Sequence, residues 1–122
     1  MPTTNIDPKT PFNPQSGAPS AGDMDLVMTA IDTANGNSTK SGGRDYLLFQ
    51  NPGGAPYTIT VNGVKDPFGA TASISAYSLG AGKLAMLGPL NPLRWVNGSG
   101  ADAGKYSYTA SNAAVLVCPL NL

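Results

Sequence analysis

From Asp45 to Leu90 the chain alternates short apolar runs with glycine, proline and asparagine. The runs are Tyr46–Phe49, Tyr57–Val61, Thr71–Leu79 and Lys83–Leu87. Short β-prone segments between tight turns predict an antiparallel sandwich or barrel. The clearest period-two signal is Pro56–Asn62, where Tyr57, Ile59 and Val61 fall on one face and Thr58, Thr60 and Asn62 on the other. Asn51-Pro52-Gly53-Gly54, Asn62-Gly63, Asp66-Pro67-Phe68-Gly69 and Gly80-Ala81-Gly82 supply the turns.

Outside this stretch the pattern predicts a first strand in Asp23–Asp32, with a short helix as its alternative. The Asn35-Gly36-Asn37-Ser38 break leaves no room for a helix to continue. Thr33–Arg44 reads as a polar loop that crosses between sheets or covers an edge. Strands are expected at Asp45–Gln50, at Leu93–Val96 around Trp95, at Lys105–Ala110 and at Ala113–Cys118. Pro89 and Pro119 are expected to end the strands before them. In Thr71–Leu79, Ile74 and Ala76 are placed opposite Ser73, Ser75 and Tyr77. The sum is an all-β fold, an antiparallel β-sandwich of seven or eight strands with either jelly-roll or Ig-like topology.

The first 22 residues break this rhythm. They hold five of the eleven prolines, and after Met1 their only large apolar side chains are Ile6 and Phe12. Proline favours extended backbone and lowers the entropy lost on docking. Two units are expected: an extended N-terminal arm over residues 1–22, for which a disordered tail is the alternative that composition alone slightly favours, and a sandwich over residues 23–122. In that reading Ile6 and Phe12 anchor the arm on a partner, and removing the arm leaves the sandwich folded.

Composition narrows the function. Charged residues make up 11% of the chain, seven acidic and seven basic, with net charge zero. An average soluble domain has about 25%. All seven acids are aspartate, a poor helix former, in keeping with a β chain. No basic stripe is present to neutralise phosphates, so nucleic-acid binding is not expected. A surface so low in charge favours association. Residues 1–22 have neither the basic start nor the apolar core of a secretory signal. No run approaches the 18 apolar residues of a membrane span, so no membrane partner is expected.

The chain has no histidine and one cysteine, Cys118, in an apolar run. Serine or cysteine nucleophiles paired with histidine are ruled out, and no internal disulfide can form. Asp45, Asp66 and Asp102 lack calcium-loop spacing. The Gly80-Ala81-Gly82 turn is no phosphate loop, since neither a helix nor a Gly-Lys-Ser/Thr follows. Ser78 with Lys83 is a pair that any β protein can offer. Catalytic, metal and cofactor sites are thus expected to be absent, and the protein is read as no enzyme. Arg94-Trp95 after Pro92 is the candidate interface pair, because Arg and Trp are typical anchors; a core role for the lone Trp95 is the alternative.

The stretch through Val64 to Leu90, GVKDPFGATASISAYSLGAGKLAMLGPL counted from Gly63, resembles small virion proteins of tailed bacteriophages. Their pattern is a DP(Y/F)G turn, a strand carrying Tyr and Leu, an Ala-Gly turn, and a strand ending in Gly-Pro. Trp95 and the C-terminal Tyr106–Val117 strands also fit, so the likeness covers about the last three-quarters of the chain. Ala70 departs from it, standing where the pattern has arginine, and any contact made by that arginine is missing here. The chain is similar to capsid decoration (cement) proteins. The resemblance implies a non-enzymatic β-sandwich on the outer surface of a phage head, made in the host cytoplasm. Its implied partners are the major capsid protein and further copies of itself, as dimer or trimer. The rival expectations are another virion part, such as a head-fibre base, tail or baseplate component, and a carbohydrate-binding β-sandwich module.

Overall fold

A computed structural model describes residues 3–11, 13, 15, 17, 18, 20, 21, 25–64, 73–98 and 103–121. Among these residues the chain forms nine strands and one helical turn: β1 (Thr4–Asn5), β2 (Thr29–Ala30), β3 (Asn37–Lys40), β4 (Asp45–Gln50), β5 (Tyr57–Asn62), β6 (Ile74–Leu79), β7 (Leu84–Leu90), α1 (Pro92–Trp95), β8 (Lys105–Ala110) and β9 (Leu116–Asn121). They make a five-stranded sheet, β1-β3-β8-β5-β6, and a four-stranded sheet, β2-β9-β4-β7. The expected all-β sandwich is present.

The pairings are nested. β5 pairs with β6, β4 with β7, β3 with β8 and β2 with β9, all antiparallel. The chain is one long hairpin, bent between β5 and β6 and rolled so that successive pairs enter opposite sheets. That is jelly-roll topology, which decides between the two expected architectures. β1 is an addition, parallel to β3.

Between the sheets, Leu47, Phe49 and Val117 meet Ile59, Val61, Tyr106 and Tyr108, all almost fully buried. The Phe49 ring stands edge-on to Tyr108, 6.0 Å between centroids at 81°. Each such side chain contributes about 1.5–3 kcal/mol by leaving water. The Tyr108 hydroxyl shares a 2.8 Å hydrogen bond with the Thr39 hydroxyl, whereas the buried Tyr106 hydroxyl makes no hydrogen bond of good geometry among the described residues. Burial pushes both phenols up.

Several expectations are corrected. The polar loop at Thr33–Arg44 contains β3, whose Asn37, Ser38 and Thr39 are fully buried. Hydrogen bonds compensate: Asn37 Oδ1 accepts the Asp32 N–H at 3.1 Å, and Ser38 Oγ accepts the Thr3 hydroxyl at 2.6 Å. The first strand shrinks to Thr29–Ala30, leaving Leu26 and Val27 exposed. Leu93–Val96 is not a strand: Asn91 and Pro92 start a helical turn, in which the Arg94 and Trp95 N–H groups donate to the Asn91 carbonyl, both at 3.0 Å.

Neither Pro89 nor Pro119 ends its strand. The Pro119 carbonyl accepts the Lys9 N–H at 2.9 Å, on the side of β9 away from β4. A residue's N and C=O point to the same side of a strand, so the β4 ladder needs no N–H from Pro119. In β7, Gly88 has φ +140°, and a Cβ there would stand 2.5 Å from the Tyr46 ring. The strict alternation expected in β6 fails as well. The register shifts opposite Ile59 and Val61, with Ala76 at φ +52°. This bulge lets even-numbered Ile74 and odd-numbered Leu79 pack on the same core.

Residues 4–9 of the N-terminal segment lie against the sandwich. Thr4–Asn5 pairs with β3 at the edge of one sheet, and Lys9 bridges to Leu120 at the edge of the other. Ile6 lies between them, 8% exposed and within the core. Residues 4–9 thus strap one side of the sandwich shut, so removing residues 1–22 strips a core side chain. From Thr10 to Ala21 every described residue is exposed.

The strap is tied by Asp32, which accepts the Thr4 hydroxyl at 2.6 Å and backbone N–H groups of Ala34 and Asn35. The Thr4 hydroxyl bond, with those from Asn35, lowers its carboxyl from 3.8 to about 2. A depressed folded-state pKa stabilises the fold above the unfolded value, and that help fades as pH falls through about 2. Between about pH 4 and 2 the Ile6 amide, which donates to Ser38, is expected to lose hydrogen-exchange protection in the wild type. In Asp32→Asn it is expected to exchange faster even at neutral pH, with no such acid step. For the core, Tyr108→Phe is expected to cost about 1–3 kcal/mol by orphaning Thr39, and Tyr106→Phe to cost less, in urea unfolding.

Candidate functional site

Because Leu47 and Phe49 point into the core, Tyr46, Leu48 and Gln50 point out of the four-stranded sheet. The sequence YLLF is apolar at both parities, so β4 presents apolar side chains to both faces. β7 and β9 do the same. Across the outer face, Met86, Leu48 and Cys118 form one row, Leu84, Gln50, Leu116 and Ala30 a second, and Tyr46 with Leu120 a third. Gln50 is the single polar side chain in these rows, and none is charged. Leu84 and Met86 are 63% and 59% exposed. Tyr46, Leu48 and Leu116 are half-buried. Cys118 and Leu120 are buried, with Cys118 in a groove lined by residues of the strap and by Val27.

The outer face of the five-stranded sheet is the opposite. Its rows are Lys40 with Lys105; Ser38, Ser107 and Asn62; Thr109 with Thr60; and Thr58 with Ser78. Asn62 Nδ2 donates to Ser107 Oγ at 3.2 Å. Every member is an amide, hydroxyl or ammonium. Antiparallel sheets commonly turn such a polar face to water; the four-stranded sheet departs from that rule.

Among the described residues nothing spans the side of the sandwich away from the strap. There β6 and β7 are the edges of their sheets, and an apolar cleft of about 240 Å³ runs between them, lined by Ile59, Ile74, Tyr77, Ala85, Met86 and Leu87. Tyr77 is 53% exposed at its mouth. Cleft and outer face join at β7, which sends Ala85 and Leu87 inward and Leu84 and Met86 outward.

The residues singled out from sequence scatter. Ile6 is in the core, and Phe12 lies outside the described residues. Trp95 is half-buried against the core, while Arg94 beside it is exposed. None of the three described residues belongs to the apolar face. What sequence reasoning missed is this face itself. Its signal was present: consecutive apolar residues in Tyr46–Phe49, Leu84–Leu87 and Val115–Cys118 leave no parity for a polar side.

Burial pushes the Cys118 thiol up, which disfavours the nucleophilic thiolate. Among the described residues no group of three metal-ligating side chains occurs, and no helix is long and apolar enough to cross a membrane. No protein-family model, no curated protein and no solved structure matches the chain.

Since Leu84 and Met86 leave their side chains in water, exchanging both for glutamine is expected to change unfolding free energy by about 0.5 kcal/mol or less per site. The same change is expected to lower binding of an apolar dye to the folded protein. A loss of several kcal/mol in denaturant unfolding would place these side chains in the core instead.

Proposed function

We propose that this protein is a structural docking module of a phage particle, a decoration protein that seats its apolar sheet face on the major capsid protein and turns its polar face to solvent. One observation carries the reading: the rows of one outer face of the sandwich are polar throughout, and those of the other are apolar but for Gln50. An uncharged, apolar sheet face is costly to leave in water, so a partner surface is its natural complement. The resemblance of Gly63–Leu90 to phage decoration proteins supplies the kind of partner. Jelly rolls serve capsids and lectins alike, so the topology by itself does not choose between those roles.

A role of this kind requires a rigid body and a docking surface. A phage head repeats each site many times, so modest affinity per site is enough where neighbouring copies reinforce one another. The described residues between Thr10 and Ala21 are exposed, and the arm is read as reaching along such a neighbour, Phe12 being the one large apolar residue of that stretch of sequence.

The test is co-sedimentation with expanded heads that lack the protein. Wild type is expected to bind saturably. Leu48→Gln and Leu116→Gln, in the middle of the face, are expected to weaken binding about tenfold or more each, as central apolar anchors do. A matched change on the polar face, Thr60→Gln, is expected to leave binding unchanged. Failure of wild type to bind, or equal loss from both faces, would sink the reading.

A further inference from the structure

We infer that two copies of the chain join through the free edge of β7, with Leu84 and Met86 of one copy paired main chain to main chain with Met86 and Leu84 of the other, about a two-fold axis through Ala85. The phage resemblance implies further copies as partners but no surface for them; this inference names that surface from the edge of the sheet and does not depend on capsid binding.

The main-chain geometry comes first. The Asn51 N–H donates to the Lys83 carbonyl at 3.0 Å, which turns that carbonyl toward β4, while the Lys83 N–H closes the preceding turn on the Gly80 carbonyl at 3.1 Å. Alternation then turns Ala85 and Leu87 toward β4, and Leu84 and Met86 outward. Among the described residues no strand pairs that outer edge. Two N–H and two C=O groups are left to face away from the sheet. Two copies of one strand related by a two-fold axis perpendicular to the sheet run antiparallel. With Leu84 opposite the second copy's Met86, all four groups of each copy find partners.

Other edges carry protection that this one lacks. β6 is bulged at Ala76. The outer edge of β9 is covered by β2 and by Lys9. The stretch Leu84–Leu87 has no charge, no proline and no bulge, the usual devices against edge pairing. Distortion begins only at Gly88.

Symmetry and charge point to a second copy as the occupant, since the Leu84–Met86 edge is its own complement about the two-fold axis. No side chain of the outer-face rows is charged, so that face selects no partner of opposite sign and does not repel itself. The nearest charge on the strand is Lys83. In the proposed register the two Lys83 residues lie at opposite ends of the pair, four residues or about 13 Å apart along the strands. That exceeds the Debye length of about 8 Å at physiological salt, so their repulsion is screened. A strand pair alone covers about 20 Å by 5 Å, short of the roughly 1,000 Å² of a specific interface. The cleft adds to it: the second copy's β7 lies along the mouth, where Tyr77, Ile74 and its own Ala85 and Leu87 meet. The expected dimer is therefore reversible and concentration-dependent. Its eight-stranded sheet carries both apolar faces on the same side.

Sedimentation velocity over a concentration series tests this, with hydrogen exchange read at the Leu84 and Met86 amides. The mass is expected to rise from 12.4 kDa toward twice that value, and protection of both amides to rise with it. Leu84→Pro removes an outward N–H that no internal ladder uses, and is expected to raise the dissociation constant about tenfold or more. Met86→Lys, which places a charge on the edge, gives the same expectation by a route that leaves the backbone unaltered. A protein that stays monomeric at every concentration overturns the inference. So does a dimer that survives both substitutions with the two amides unprotected. Head binding by Leu84→Pro as a monomer keeps this outcome separate from that of the docking reading.

Discussion

The packing of Phe49 against Tyr108 is the constraint on which the rest depends. It joins the middle of one sheet to the middle of the other, since β4 lies between β9 and β7, and β8 lies between β3 and β5. With those two rings inside, the parity of both central strands is set. A strand has period two, so every neighbour paired to β4 or β8 inherits its inward and outward positions. Thr39 is drawn inside because it sits opposite Tyr106, and it offers Tyr108 a hydroxyl partner. On β4 the same parity sends Tyr46 and Leu48 outward. An interior contact thereby determines what the molecule displays.

The display is one-sided. Ser, Thr, Asn and Lys rows cover one sheet, while Leu, Met, Tyr and Cys rows cover the other. The flanks differ too. Residues 4–9 run from one sheet edge to the other and drop Ile6 into the core between them. No equivalent strap among the described residues spans β6 and β7, and the core remains accessible there through Tyr77 and Ala85. A small sandwich built this way has one wet face, one closed flank, and an apolar face continuous with an open flank. Such a body suits assembly onto a larger surface, with its edge strand available for contact between copies.

Much of the architecture was legible in the chain itself. Tyr57–Asn62 alternates cleanly and is a half-buried strand, and Lys105–Ala110 does the same with Tyr106 and Tyr108 inside. Other elements misled for identifiable reasons. Asn37-Ser38-Thr39 looks like loop because it is polar, yet all three are buried, Asn37 and Thr39 on the inner face and Ser38 under Thr3 on the outer one, and Asp32, Thr3 and Tyr108 satisfy them. Pro119 looks like a strand end, yet its missing N–H falls on the side that β4 does not use. Trp95 sits on a helical turn begun by Pro92, where propensity alone favoured a strand.

The sequence by itself determined the class of fold and the absence of histidine chemistry, because alternation, turn residues and composition are local properties of the chain. It also held the surplus of apolar residues in Tyr46–Phe49, Leu84–Leu87 and Val115–Cys118. Only the tertiary structure decided where that surplus goes. Apolar residues at both parities can bury both faces of a strand or expose one, and no local property distinguishes these outcomes. The choice follows from strand order, since β4, β7 and β9 share one sheet whose second face is covered, among the described residues, only where the strap and Val27 lie against Cys118 and Leu120.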